Sequence, residues 1–220
     1  MQLPFINLLA PHYCCSCGTV GALLCEYCKY DIINEPYEAC ILCHGLALPG
    51  QHKCGLCKAP FTKAWCASDR REGVKELMDR YKFERTKAAY IPLAELLHHT
   101  LPVLPTDMVV VPIPTIAPHV RQRGYDQVDM LAKYFAAQRN TACTPLLKRR
   151  TNSVQRGASR KQRIDQANKA FTAGSCNGRY LVIDDISTTG ATLSAAAQAL
   201  LDAGAQEVWV AVVACQPLEK

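Results

Sequence analysis

The chain has 220 residues, 49% of them hydrophobic and 20% charged, which suits one folded domain of ordinary size plus a small module and excludes a disordered or fibrous chain. No apolar run reaches the 18 or more residues needed to cross a bilayer, and the start, MQLPFINLLAPHYC, lacks the basic region of a secretory signal, so a cytoplasmic protein with no membrane association is expected. The net charge of +6 is concentrated between Lys148 and Lys169, where eight basic residues face one acid, whereas residues 1–66 balance four lysines against four acids.

Ten of the thirteen cysteines fall in the first 66 residues. Cytosolic thiols stay reduced, so metal ligation is a better account of them than disulfides. Four Cys-x-x-Cys pairs are present: Cys14 with Cys17, Cys25 with Cys28, Cys40 with Cys43, and Cys54 with Cys57. A tetrahedral Zn²⁺ site needs four thiolates, and each two-residue spacer points a pair of them inward, so eight ligands predict two structural zinc sites. Spacing alone leaves the pairing open between sequential ribbons and a cross-braced arrangement. Cys15 and Cys66 are spare, and His44 and His52 are weaker substitute ligands. So few large apolar residues cannot hold residues 1–66 folded alone, and metal supplies that energy. Eight thiolates and two Zn²⁺ leave the module near −4, which argues against a nucleic-acid-binding finger.

From Gly73, the apolar residues Val74, Leu77, Met78 and Tyr81 recur at helical spacing, and a second helix is expected from Pro92 to about His99. Residues 67–106 are therefore expected to form a helical connector packed on the domain that follows. MVVV at 108–111 predicts a buried strand closed by PIP. Val128, Leu131, Ala132 and Phe135 predict a helix, and TPLLK at 144–148 a further strand. RYLVID at 179–184 is a strand, Leu193 to Leu201 a helix with Gly204 at its C-terminal cap, and EVWVAVVA at 207–214 a last strand. Strands alternating with helices define an α/β fold with a parallel sheet.

One segment, LVIDDISTTGAT at 181–192, carries the chemistry. Ligands of open parallel sheets bind at the carboxyl ends of strands, where Asp184 and Asp185 fall. The following turn enters a helix N-terminus whose free N–H groups favour an anion. Hydroxyls of Ser187, Thr188 and Thr189 add donors, and Gly190 permits close backbone approach. Vicinal hydroxyls for the acids and a phosphate for the turn describe a ribose 5-phosphate.

This segment resembles the phosphoribosyl-pyrophosphate (PRPP) motif of type I phosphoribosyltransferases, and its TTGAT ending together with the four cysteine pairs resembles the ComF family, the ComFC and GntX-like proteins. RQRGYDQ at 121–127 and QRGASRKQRIDQANKAF at 155–171 are similar to further family segments, so the likeness spans nearly the whole chain. It implies a type I phosphoribosyltransferase-like sheet with helices on both faces over 107–220, preceded by a double zinc ribbon over 1–66. It also implies that Asp184 and Asp185 contact the ribose hydroxyls, and that Ser187, Thr188, Thr189, Gly190, Ala191 and Thr192 cradle the 5′-phosphate. The Pro112–Thr115 loop would line the pyrophosphate site, while Arg160, Lys161 and Arg163 close over it with Mg²⁺. Two departures stand out. Tyr125 and Asp126 replace the family's usual Phe and Asn, and Thr188 occupies the place of the aspartate base of hypoxanthine-guanine enzymes, which disfavours a purine accepted through that group.

Three functions follow from these residues. The first is an enzyme transferring phosphoribose to an unidentified acceptor, with the zinc module as a hood over the acceptor site. The second is a protein of natural competence and external DNA use, working with competence or DNA-processing proteins and binding single-stranded DNA through residues 148–169. The third is a PRPP sensor without chemistry.

Overall fold

The structure, a computed structural model, describes residues 11–70, 72–150 and 170–216. The basic stretch 151–169, with Arg160, Lys161 and Arg163, lies outside the described residues.

The eight ribbon cysteines come first, and helix α1 (Glu26–Asn34) carries Cys28 of the first set and leads on to the second. Strand β1 (Lys63–Asp69), helices α2 (Glu72–Phe83) and α3 (Tyr90–Thr100), β2 (Met108–Pro112), α4 (Ala117–Arg123), α5 (Gln127–Gln138) and β3 (Ala142–Cys143) follow. A small antiparallel pair, β4 (Leu147–Arg149) with β5 (Phe171–Ala173), precedes β6 (Arg179–Ser187), α6 (Ala191–Asp202) and β7 (Glu207–Cys215). The main sheet is parallel throughout, in the order β1-β7-β6-β2-β3. The protein is thus an α/β fold with a helix-flanked parallel sheet and a cysteine-rich module.

Both faces of the sheet are covered, so the central strands read as continuous apolar runs. Along β7, Trp209, Ala211 and Val213 face a core shared with α2, α3 and α5, while Val208, Val210 and Val212 face the core under α6. Each strand therefore splits its side chains between two hydrophobic layers. The first core also takes in Leu23, Leu24 and the first cysteine cluster, and the second takes in Ile41 from the second cluster. The ribbons thus dock on opposite faces of one sheet. Lys29 of α1, buried against α3, pairs with Glu95 at 2.8 Å and with Glu26 at 2.7 Å.

The expected helices and long strands are present. α1, β1, α4 and the short β3 and β5 are additional elements, and the strand expected at 144–148 is present as β4 at Leu147–Arg149. KAWCASD of β1 alternates weakly and contains a lysine and an aspartate, so its pairing with β7 is not visible as an apolar run. No helix among the described residues is long and apolar enough to cross a membrane.

Candidate functional site

The cysteines form two sequential clusters, Cys14, Cys17, Cys25 and Cys28, and Cys40, Cys43, Cys54 and Cys57, with the sulfurs of each within 4.8 Å of one another. Four converging thiols suit a soft, tetrahedral ion, so the donor set fits zinc at both. A hydrogen bond from Thr19 at 3.1 Å brings the Cys17 thiol down to about 6, and the Cys57 backbone N–H does the same for Cys54 at about 6. Both thiols are thereby prepared for the deprotonation that ligation requires. Cys15, Cys66, His44 and His52 stay outside both clusters. Cys66 is buried in the sheet, and His52 Nδ1 accepts from its backbone N–H at 2.8 Å.

At the carboxyl end of β6, Asp184 and Asp185 reach the wall of a cavity of about 550 Å³ that also meets residues 187–193 and the Ile113–Ile116 loop. Both acids are 9% exposed. Their charges are handled differently. Asp185 Oδ2 pairs with Lys82 Nζ at 2.7 Å, while burial and the neighbouring Asp185 charge push Asp184 up to about 8. At neutral pH, one carboxyl is largely protonated and the other is paired, so the acids do not repel an anion nearby.

Lys82 was not singled out from sequence. It comes from the last turn of α2, a hundred residues before its partner, and a knot of main-chain bonds places it. Tyr81 Oη donates to the Gln127 carbonyl at 2.8 Å, and Tyr125 Oη donates to the Tyr81 carbonyl at 2.7 Å. The buried Gln127 amide donates to that carbonyl as well at 2.6 Å. The RGYDQ segment thus clamps the end of α2 against the start of α5.

Asp126, whose role was open from sequence, joins three pieces of backbone. Oδ1 accepts from Val128 and Asp129 N–H, capping α5, and from Thr115 Oγ1 at 2.8 Å, while Oδ2 accepts from Thr115 N–H. It therefore sets the loop that closes one side of the cavity. Cations complete that side. Arg149 donates to the Pro114 carbonyl at 2.7 Å and lies over Phe171, and Arg123 and His119 line the same cavity.

The turn after the acids offers donors. Gly190, at φ +70°, is the N-cap of α6 and contributes no side chain, so no capping bond competes for the first-turn N–H groups apart from a long contact from Ala191 N–H to Thr189 Oγ1 at 3.4 Å. Ser187 Oγ, in a residue only 4% exposed, has no hydrogen-bond partner among the described residues. A buried hydroxyl without a partner is costly and marks a place for a polar ligand. The turn is held from behind by the second cysteine cluster: His44 Nε2 meets the Thr188 carbonyl at 3.2 Å, and Leu42 packs on Gly190. No ribbon residue among those described lines the cavity; the second cluster meets the turn from behind. The cavity mouth instead carries the exposed Phe83 and Ile116.

These features define an α/β protein with two four-cysteine metal-ligating clusters and a polar cleft at the carboxyl end of a parallel sheet. No protein-family model matches the chain. Among curated proteins it is similar to Competence protein F of Haemophilus influenzae, with 28% identity over 206 residues, covering 85% of this chain and 88% of that protein. It is also similar to DNA utilization protein YhgH of Salmonella typhi, with 27% identity over 223 residues, covering 92% of this chain and 96% of that one.

Proposed function

We propose that the chain is a ComF-family protein that binds PRPP with Mg²⁺ in the β6 cavity and acts in natural competence and the use of external DNA. The observation that carries the binding assignment is the joining of two complementary halves in one cavity. Asp184 and Asp185 accept from vicinal hydroxyls, and a few residues on, the uncapped N-terminus of α6 and the unpartnered Ser187 hydroxyl donate to a phosphate. Arg149, Arg123 and His119 stand where the second anionic group of such a ligand, its pyrophosphate, would lie. Mg²⁺, a hard cation, neutralises pyrophosphate oxygens and takes oxygen ligands such as these carboxylates. With PRPP held in this way, C1′ would fall between the acids and the cationic side, the arrangement phosphoribosyl transfer needs. The acceptor approaches past Phe83 and Ile116.

The biological role rests on the likeness to Competence protein F and DNA utilization protein YhgH along most of each chain. The DNA-binding reading is carried by the +7 stretch from Lys148 to Lys169, whose charge suits phosphate backbones as well as pyrophosphate.

Calorimetric titration of the zinc-loaded protein with Mg²⁺ and PRPP tests the site. Saturable binding that Asp184→Asn/Asp185→Asn abolishes is the expected result, and pyrophosphate release on adding candidate acceptors would then identify catalysis. A folded protein that ignores PRPP refutes the assignment. Binding of single-stranded DNA that collapses with added salt, and with Arg160, Lys161 and Arg163 replaced by Ala, would move the function to the DNA reading.

A further inference from the structure

The two cysteine clusters have different relations to the cavity. The first packs with α2 and α3 on one face of the sheet. The second sends three closely spaced side chains to the opposite face, where the phosphate turn lies. Ile41, between ligands Cys40 and Cys43, is fully buried in the core that holds Leu193 of α6 and Val212 of β7. Leu42, the next residue, sits so close to Gly190 that a Cβ there would overlap its Cδ2. His44, just past Cys43, meets the Thr188 carbonyl at 3.2 Å. A carbonyl only accepts, so His44 Nε2 carries the proton, and Nδ1 is left to accept from Tyr37 Oη at 3.0 Å. The bonds from His44 N–H to Cys40 O and from Cys40 N–H to Gly45 O show the ligand turn folded into the loop that presents these three side chains.

That loop has few large apolar contacts of its own, and its shape depends on four sulfurs being drawn together at Cys40, Cys43, Cys54 and Cys57. The shape of the Thr188–Gly190 turn, in turn, decides whether the α6 N–H groups converge on one anion. We propose that the second cluster is a working half of the phosphate site: metal at Cys40, Cys43, Cys54 and Cys57 and phosphate at the α6 N-terminus bind cooperatively, with Leu42 and His44 as the positioning residues that carry the coupling. The proposal rests on the PRPP assignment above. Thermodynamic linkage requires each ligand to raise the other's affinity by the same factor, and two direct contacts suit a factor of about 10, within the range typical of such coupling.

The test measures both directions on the full-length protein. Zinc affinity is read by competition with a chromophoric chelator, with and without saturating Mg²⁺ and PRPP, and PRPP affinity is read by calorimetry. We expect PRPP to raise the affinity for one of the two zinc ions about 10-fold. Cys17→Ser, which removes a ligand of the first cluster, should leave that protection intact, and Cys43→Ser should remove it and weaken PRPP binding by the same factor. His44→Ala and Leu42→Ala keep all eight sulfurs. Folded and fully zinc-loaded, each should bind PRPP about 3- to 10-fold more weakly, as loss of one contact predicts, so the proposal stays testable even if Cys43→Ser does not fold. Zinc affinity indifferent to PRPP, or His44→Ala and Leu42→Ala variants that bind PRPP like the parent, would overturn the coupling while leaving the PRPP site standing. A parent protein that does not bind PRPP would remove the site itself, and the coupling with it.

Discussion

Asp184 gives the sharpest quantitative test, because its burial couples folding to pH. Its carboxyl titrates at about 8 in the folded chain against an ordinary value of 3.8, with burial as the main cause and the Asp185 charge second. Between those two values the folded state holds a proton that the unfolded state has released, so stability must fall as pH rises through the window and level off above it. At 1.36 kcal/mol per unit, the full penalty is on the order of 5 kcal/mol at pH 8 and above. Asp184→Asn removes it. The amide is isosteric, its carbonyl oxygen still accepts from the Asp185 N–H as Asp184 Oδ1 does at 2.8 Å, and it never ionises. The variant should already lead the parent by roughly 1.5 kcal/mol at pH 5, gain roughly 1.4 kcal/mol per pH unit up to about pH 7.5, and plateau above pH 8. Urea unfolding at saturating zinc, followed by the fluorescence of the neighbouring, mutually tilted Trp65 and Trp209 in β1 and β7, reads this directly, because pH effects common to both proteins cancel in the difference. A stability difference that stays constant from pH 5 to 8.5 would refute the reasoning. The same titration governs binding: a ligand that donates hydroxyls to the Asp184 carboxylate should bind more tightly as pH rises toward 8, and no further beyond it.

Other perturbations have defined outcomes. Gly190→Ala forces a left-handed residue and a collision with Leu42, and should cost about 2 kcal/mol in urea unfolding. Adding Leu42→Ala should recover about half of that, and strict additivity in the double-mutant cycle would show that the second ribbon does not press on the turn. Lys82→Met strips the partner from the Asp185 carboxylate, whose side chain is only 12% exposed, so a loss of about 3 kcal/mol is expected in urea unfolding at neutral pH. A loss well under about 1 kcal/mol, the size of an exposed pair, would argue against a buried ion pair here. Asp126→Ala uncaps α5 and frees Thr115, and should lower stability by about 1–2 kcal/mol with weaker PRPP binding. Unchanged PRPP affinity would show that the Pro112–Thr115 loop does not depend on this cap.

Local patterns in the chain determined what is local in the fold. Cys-x-x-Cys spacing marks metal turns because two thiolates on one tight turn need only their neighbours. The apolar runs of β2, β6 and β7 and the 3.6-residue periods of α2, α5 and α6 are likewise set by short-range burial. LVIDDISTTGAT announced acids at a strand end followed by a turn into a helix N-terminus, since strand, turn and helix cap are contiguous. Long-range assembly was left to the tertiary structure. The ribbons' sequential pairing, Lys82 reaching Asp185 across a hundred residues, Asp126 bridging α5 to the Thr115 loop, and His44 meeting Thr188 across 144 residues all join segments whose separate sequences hold no record of one another. The protonation of Asp184 belongs to the same class. A carboxyl's charge depends on how much water the completed fold removes from it, and burial together with the neighbouring Asp185 charge makes that decision.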